Sequence, residues 1–240
     1  MARAPVQAVG GIAAYLAGLL ALDRYSNYDE QLALWVVTWV ALFALLAREP
    51  LATRVQSLGV VCFATIGEVT GSLIWGVYHY RLHNLPLFIP PAHGLVYLAG
   101  LSLATALRAR TRALVATAAV VSSTWGLLGL TVLPRRDVAG AFGVPLLLLF
   151  LWRGRNRAIY AAVFLVVAAL ELYGTSIGTW RWETHLPGTG ISDGNPPSGV
   201  ASGYVWFDVM ALLVAPMISS RLSSLSRRNQ PGYTATEGTP

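Results

Sequence analysis

Hydrophobic positions in this chain cluster into long runs at 6–22, 31–47, 56–78, 91–107, 113–133, 138–152, 158–180 and 199–220, with short charged or Pro- and Gly-rich breaks between them. A helix rises 1.5 Å per residue, so about twenty apolar residues cover the ~30 Å hydrocarbon core of a bilayer. The pattern predicts an all-α, polytopic membrane helical bundle of about eight transmembrane helices. The run at 138–152 is short and carries Pro145, and without it the count is seven. Arginines orient the chain: Arg48 and Arg54, Arg108 to Arg112, Arg153 to Arg157, and Arg221 to Arg228 all follow even-numbered runs. Positive loops stay in the cytoplasm, which puts both termini inside; a seven-helix count breaks that alternation. Residues 1–226 read as one transmembrane domain, and the polar, Gly- and Pro-containing stretch 227–240 reads as a disordered cytoplasmic tail.

Composition agrees with lipid as the main solvent. The 240 residues are 55% hydrophobic and 12% charged, more apolar surface than one soluble core can hide. The net charge of +6 comes from arginine alone, and those arginines lie between apolar runs rather than in one stripe, so they report topology and not a nucleic-acid partner. With no lysine and much Ala, Gly and Val, the usage fits a GC-rich bacterium. No small-residue cleavage site follows the first run, which is read as a permanent helix. Cys62 is the only cysteine, which excludes an internal disulfide or a cysteine-based metal site.

The two halves resemble each other. Glu68-Val-Thr-Gly71-Ser-Leu-Ile74 aligns with Glu171-Leu-Tyr-Gly174-Thr-Ser-Ile177; Tyr78-His-Tyr80 aligns with Trp180-Arg-Trp182, and Pro90-Pro91 with Pro196-Pro197. Four helices per half imply a parallel duplication, with possible repeats at 1–112 and 113–226.

Three carboxylates fall inside predicted helices: Glu68, Glu171 and Asp208. An acid at bilayer depth is costly and marks a functional site by default. Each lies about nine or ten residues, roughly 15 Å, from the outer end of its helix, so the three are expected at one depth and in one cavity. Aromatic residues crowd the same region. Trp75, Tyr173, Tyr204 and Trp206 are expected deep, where ring faces can shelter a cation; Tyr78 and Trp180, with Tyr80 and Trp182, fit either the interfacial belt or the cavity wall. A cavity holding acids and ring faces suits chemistry on a polyene. Asn195 or Ser198 is expected near the start of the eighth helix.

His79, His83, His93 and His185 all fall at or beyond predicted outer helix ends, and an interfacial or loop role is expected for them. His79 and His83 have the i, i+4 spacing of a metal pair, but four histidines are too few for a membrane di-iron site. No phosphate loop, dinucleotide fingerprint, nucleophile elbow or Asp-rich magnesium motif is present, so neither metal nor cofactor is expected.

In length, hydropathy and the placement of Glu68 and Asp208, the chain resembles the small integral-membrane terpene cyclases of meroterpenoid pathways; the stretch Glu68 to Pro91 also looks like membrane carotenoid hydratases and lycopene-cyclising proteins. The resemblance implies a cofactor-independent enzyme whose partners are the bilayer and a hydrophobic isoprenoid substrate. It implies catalytic roles for Glu68 and Asp208, with Glu171 in support. A rival from another class is a small transporter or lipid-binding protein in which midplane acids relay protons.

Overall fold

The computed structural model describes residues 3–228, with side chains from 5 to 221. Among the described residues, eight α-helices stand where the apolar runs predict them: α1 (Arg3–Asp23), α2 (Tyr28–Leu46), α3 (Leu51–Glu68), α4 (Ile89–Ala106), α5 (Thr111–Thr131), α6 (Val138–Arg153), α7 (Arg157–Ile177) and α8 (Val200–Arg228). Six helical segments are long and apolar enough to cross a membrane: α1, α2, α3 with its π-helical extension, α5 with the turn before it, α7 and α8. Apolar side chains such as Val36, Val40, Phe43, Leu127, Phe142 and Leu213 face outward, as lipid requires and water penalises. The protein is an integral membrane protein built as a helical bundle.

Local chemistry sets the ends of these helices. Asn27 accepts from Glu30 N while Glu30 accepts from Asn27 N, a capping box that starts α2. Prolines in the first turn of α4 cost no hydrogen bond there. Asp137 caps α6 through Gly140 N. The expected tail at 227–240 begins inside α8, which runs to Arg228; residues 229–240 lie outside the described residues.

The centre is a group of four helices in which α3 packs on α8, α4 on α7, α3 on α4 and α7 on α8. Small residues bring these helices close: a side chain at Gly100 would run into Val163 of α7, and one at Gly59 would touch Ala211 of α8. Helix α4 is the most enclosed, with twelve of its residues buried. Helix α1 packs on α4 and α7, α2 on α4, and α5 on α6 and α7.

Past Glu68 the third helix widens into a π-helical segment, Val69–Trp75, and stops at Gly76, whose φ of 74° favours glycine. Helix α7 stops in the same way at Gly178, φ 77°. Each stop is followed by a three-residue strand, β1 (Tyr78–Tyr80) and β2 (Trp180–Trp182), and the two pair antiparallel with Tyr78 opposite Trp182 and Tyr80 opposite Trp180. This short ribbon roofs the central helices.

Candidate active site

Alternate residues of a strand face the same side. In β1 and β2 the inward residues are the four aromatics, and His79 and Arg181 face away. Beneath them the two acids are held alike. Glu68 Oε2 accepts from Tyr78 Oη at 2.5 Å and from Tyr80 Oη at 2.6 Å. Glu171 Oε2 accepts from Trp180 Nε1 at 2.9 Å and from Trp182 Nε1 at 3.3 Å. The glycine three residues after each acid makes room for the first ring: a side chain on Gly71 would press on Tyr78 Cε1 at 2.9 Å, and one on Gly174 would land inside the Trp180 indole. Glu-x-x-Gly followed by aromatic-x-aromatic is therefore one structural unit used twice. The first copy has one residue more between its second glycine and its acid than the second copy does, and the π-helix holds that extra residue, since its i→i+5 bonding accommodates one residue beyond the α-helical turn.

The two acids differ in what else touches them. His93 of α4, expected at an outer helix end, is instead buried at 4% exposure, with Nε2 3.2 Å from Glu68 Oε1. The sequence reading placed α4 two residues later than it starts, so His93 fell outside the core; it is the functional candidate that reading missed. Its Nδ1 lies 2.9 Å from the Ile89 carbonyl oxygen. A carbonyl can only accept, so Nδ1 carries a hydrogen and Nε2 is the nitrogen turned to the Glu68 carboxyl. That nitrogen is buried without an aligned hydrogen bond. Tyr204 of α8 stacks on the imidazole at a centroid distance of 5.2 Å. Glu68 is thus held by two hydroxyl donors and an imidazole, whereas no donor among the described residues engages Glu171 Oε1. Burial, followed by the adjacent Glu68 charge, holds the Tyr78 and Tyr80 hydroxyls well above the ordinary tyrosine range, so both remain donors.

Glu68 and Glu171 line a cavity of about 410 Å³ with Trp75, Tyr78, Trp180, Trp182, Tyr204 and Phe207. Asp208 does not join them. It is 1% exposed and lines neither cavity next to the acids, and its Oδ2 has no hydrogen-bond partner among the described residues. Four residues after Tyr204 it lies one turn, about 6 Å, further along α8. The expectation of three acids in one cavity is corrected to two, because Tyr204 is the residue of this α8 face that stands level with the acids and Asp208 lies one turn beyond it.

The deep aromatics also separate. Tyr204 lines the cavity, and Trp75 lines it while half exposed, its Nε1 donating to Pro187 O at 3.2 Å. Tyr173 faces a groove between α1 and α7, and Trp206 is 46% exposed with its edge on Phe150, so neither reaches the acids. His79 and His83 have ring centroids 6.0 Å apart, and His79 Nε2 lies 3.3 Å from Glu183 Oε1 outside the roof. Among the described residues no three His, Cys, Asp or Glu side chains gather as a metal site. Asn195 accepts from Trp182 N at 2.9 Å, and Ser198 N donates to Asp137 at 2.7 Å just before α8. Asp137, accepting also from Gly140 N and Gly194 N, ties this loop before α8 to α6.

Comparison with protein-family models, curated proteins and solved structures finds no match to this chain, so the functional reading rests on the geometry.

Proposed function

We propose that the protein is a membrane-embedded terpene cyclase that protonates an epoxide or alkene of a prenylated substrate and guides the carbocation through ring closure without a cofactor. The observation that carries this reading is the unequal pair of buried carboxyls on one aromatic cavity: Glu68 already has two hydroxyl donors and a histidine, and Glu171 keeps one oxygen without a donor. Two carboxyls on one low-dielectric cavity favour sharing a proton over carrying two charges. Glu171 Oε1–H gives its proton to the epoxide oxygen. The C–O bond breaks and leaves a tertiary cation, which neighbouring π bonds attack in turn. The rings of Tyr78, Trp180 and Tyr204 attract the cation, each by about 0.5–2 kcal/mol. His93 Nε2 takes the final proton, and the Glu68 carboxylate stabilises the resulting imidazolium. Proton exchange across the cavity resets the site, and the product is an isomer of the substrate.

This reading places the protein in the cell membrane of a bacterium with both termini in the cytoplasm, as the arginine pattern implies. The test is to incubate detergent-solubilised protein with a linear epoxy-prenyl compound and to follow products by mass spectrometry and NMR. A new ring skeleton of unchanged mass is expected. Glu171→Gln and His93→Gln should each lower turnover by about 10²- to 10⁴-fold, the usual range for losing a general acid or base. Absence of any cyclic product, together with proton-coupled flux in proteoliposomes, would overturn the reading in favour of transport.

A further inference from the structure

Two cavities meet at the acids, and they differ in size and lining. Glu68, Tyr80, Glu171, Trp180 and Tyr204 line both. The larger, about 410 Å³, extends between the π-helical segment and the start of α8, past Gly71, Trp75, Gly203 and Phe207. The smaller, about 60 Å³, extends the other way among Leu16, Leu19 and Leu20 of α1, Val96 of α4, and Val167 and Leu170 of α7. Leu16 and Leu170 also line a separate groove of about 340 Å³ between α1 and α7, so these two side chains form the partition between the small cavity and that groove.

From this we propose, resting on the cyclase reading above, that the smaller cavity receives the terminal isoprene unit of a linear isoprenoid chain, while the rest of the chain lies in the larger cavity and leaves toward the bilayer between the π-helical segment and α8. Volume is the first argument. A water needs about 10–15 Å³ of such space and represents about 30 Å³ of liquid, so the small cavity holds about four waters' worth, roughly one branched five-carbon group. Lining is the second argument. Beyond the acids the walls from α1 and α7 are aliphatic, and a polar head group placed there would lose its hydration with no partner in return. Position is the third. With the end group in the small cavity, the last double bond or epoxide lies beside Glu171 and His93, where protonation starts a cascade running back along the chain. Leu16 and Leu170 then act as a length stop, fixing which bond meets the acid.

The experiment uses the full chain in nanodiscs and two farnesol analogues, one with a diazirine at the ω end and one with it near the hydroxyl, cross-linked by light and mapped by mass spectrometry. The ω probe should label α1 or α7 at Leu16, Leu19, Leu20 or Leu170; the hydroxyl-end probe should label Trp75, Gly203 or Phe207. Geranylgeraniol should displace both probes, and hexadecanol should not. Leu16→Ala combined with Leu170→Ala should spread the ω label onto Ala13, Ala17 and Ala169 across the former partition. Exchanged labels, equal displacement by hexadecanol, or an ω label unmoved in the double variant would each overturn the proposal. Cross-linking is independent of turnover, so exchanged labels in an active enzyme reject the pose alone. The expected labels in a protein without cyclase activity reject the chemistry alone.

Discussion

Gly174→Ala is the smallest change that reaches the proposed proton donor without touching a polar atom. A methyl group there would occupy the Trp180 ring, and carbon atoms settle near 3.5–4.0 Å, so the indole must move by more than 1 Å. Its Nε1–H, now 2.9 Å from Glu171 Oε2, cannot follow that move and keep its alignment. Losing one hydrogen bond to a carboxyl costs about 1.5 kcal/mol. Alanine restores about 0.5–1 kcal/mol relative to glycine within a helix, so the melting temperature should fall only slightly. Turnover should fall about tenfold, because 1.36 kcal/mol corresponds to a factor of ten in rate and the lost bond orients the donor. A double-mutant cycle isolates the cause: with Trp180→Phe already present the bond is absent and the ring is smaller, so adding Gly174→Ala should cost almost nothing more. Coupling of about 1 kcal/mol or more is expected between the two sites. Independent, additive losses, or wild-type turnover in Gly174→Ala, would refute the idea that this glycine exists to seat the ring over the acid.

Asp208→Asn should keep turnover within a few-fold of wild type and leave the product spectrum unchanged, because Asp208 faces neither cavity at the acids; loss comparable to Glu171→Gln would place it in the chemistry. Reporter fusions after Arg112 and after Arg221 should both report the cytoplasm, and opposite sides would sink the eight-helix topology. Burial, reinforced by Asp137, raises the Asp193 carboxyl in the loop before α8 to about 7. The folded state therefore binds that proton more tightly than the unfolded chain, and the resulting stability is present near pH 4 and lost as pH rises toward 7. Thermal melts across this window should slope downward in wild type, and the slope should shrink in Asp193→Asn.

The helices were legible because lipid imposes a simple rule: a crossing segment must be apolar over a fixed length, and six of the helical segments among the described residues meet it. Glu68 and Glu171 were legible for the converse reason, as charges where none are expected. Asp208 met the same criterion and yet stands apart, because Tyr204 already reaches the acids four residues into α8 and Asp208 lies one turn beyond it, an offset set by packing that sequence does not name. Packing likewise decided that Tyr173 and Trp206 face away from the acids. His93 was lost to a boundary: the run read as starting at residue 91 begins as a helix at Ile89, with its prolines in the first turn where they cost no hydrogen bond, and that shift of two residues moved the histidine from the rim into the core. The four belt candidates could have been assigned from the strand period, since Tyr78/Tyr80 and Trp180/Trp182 each skip one residue and so face one way.

The likeness of the two halves also shows how an unequal pair of acids can arise from one repeated unit. Both copies hold a glutamate beneath an aromatic-x-aromatic strand, yet one copy uses tyrosines and the other tryptophans. A phenol can donate to a carboxylate and accept from other groups, while an indole N–H only donates. The copies also differ in helix geometry, because the extra residue before Gly76 is held in the π-helical segment, on the side where the larger cavity opens beside Trp75. Such π segments concentrate at functional sites. His93 adds a further asymmetry: it lies 3.2 Å from Glu68 Oε1, and Glu171 has no ion-pair partner among the described residues. Ring chemistry, one residue of length and one histidine are enough to make the two similar halves surround their glutamates unequally, which is the asymmetry the proposed proton donor and acceptor require.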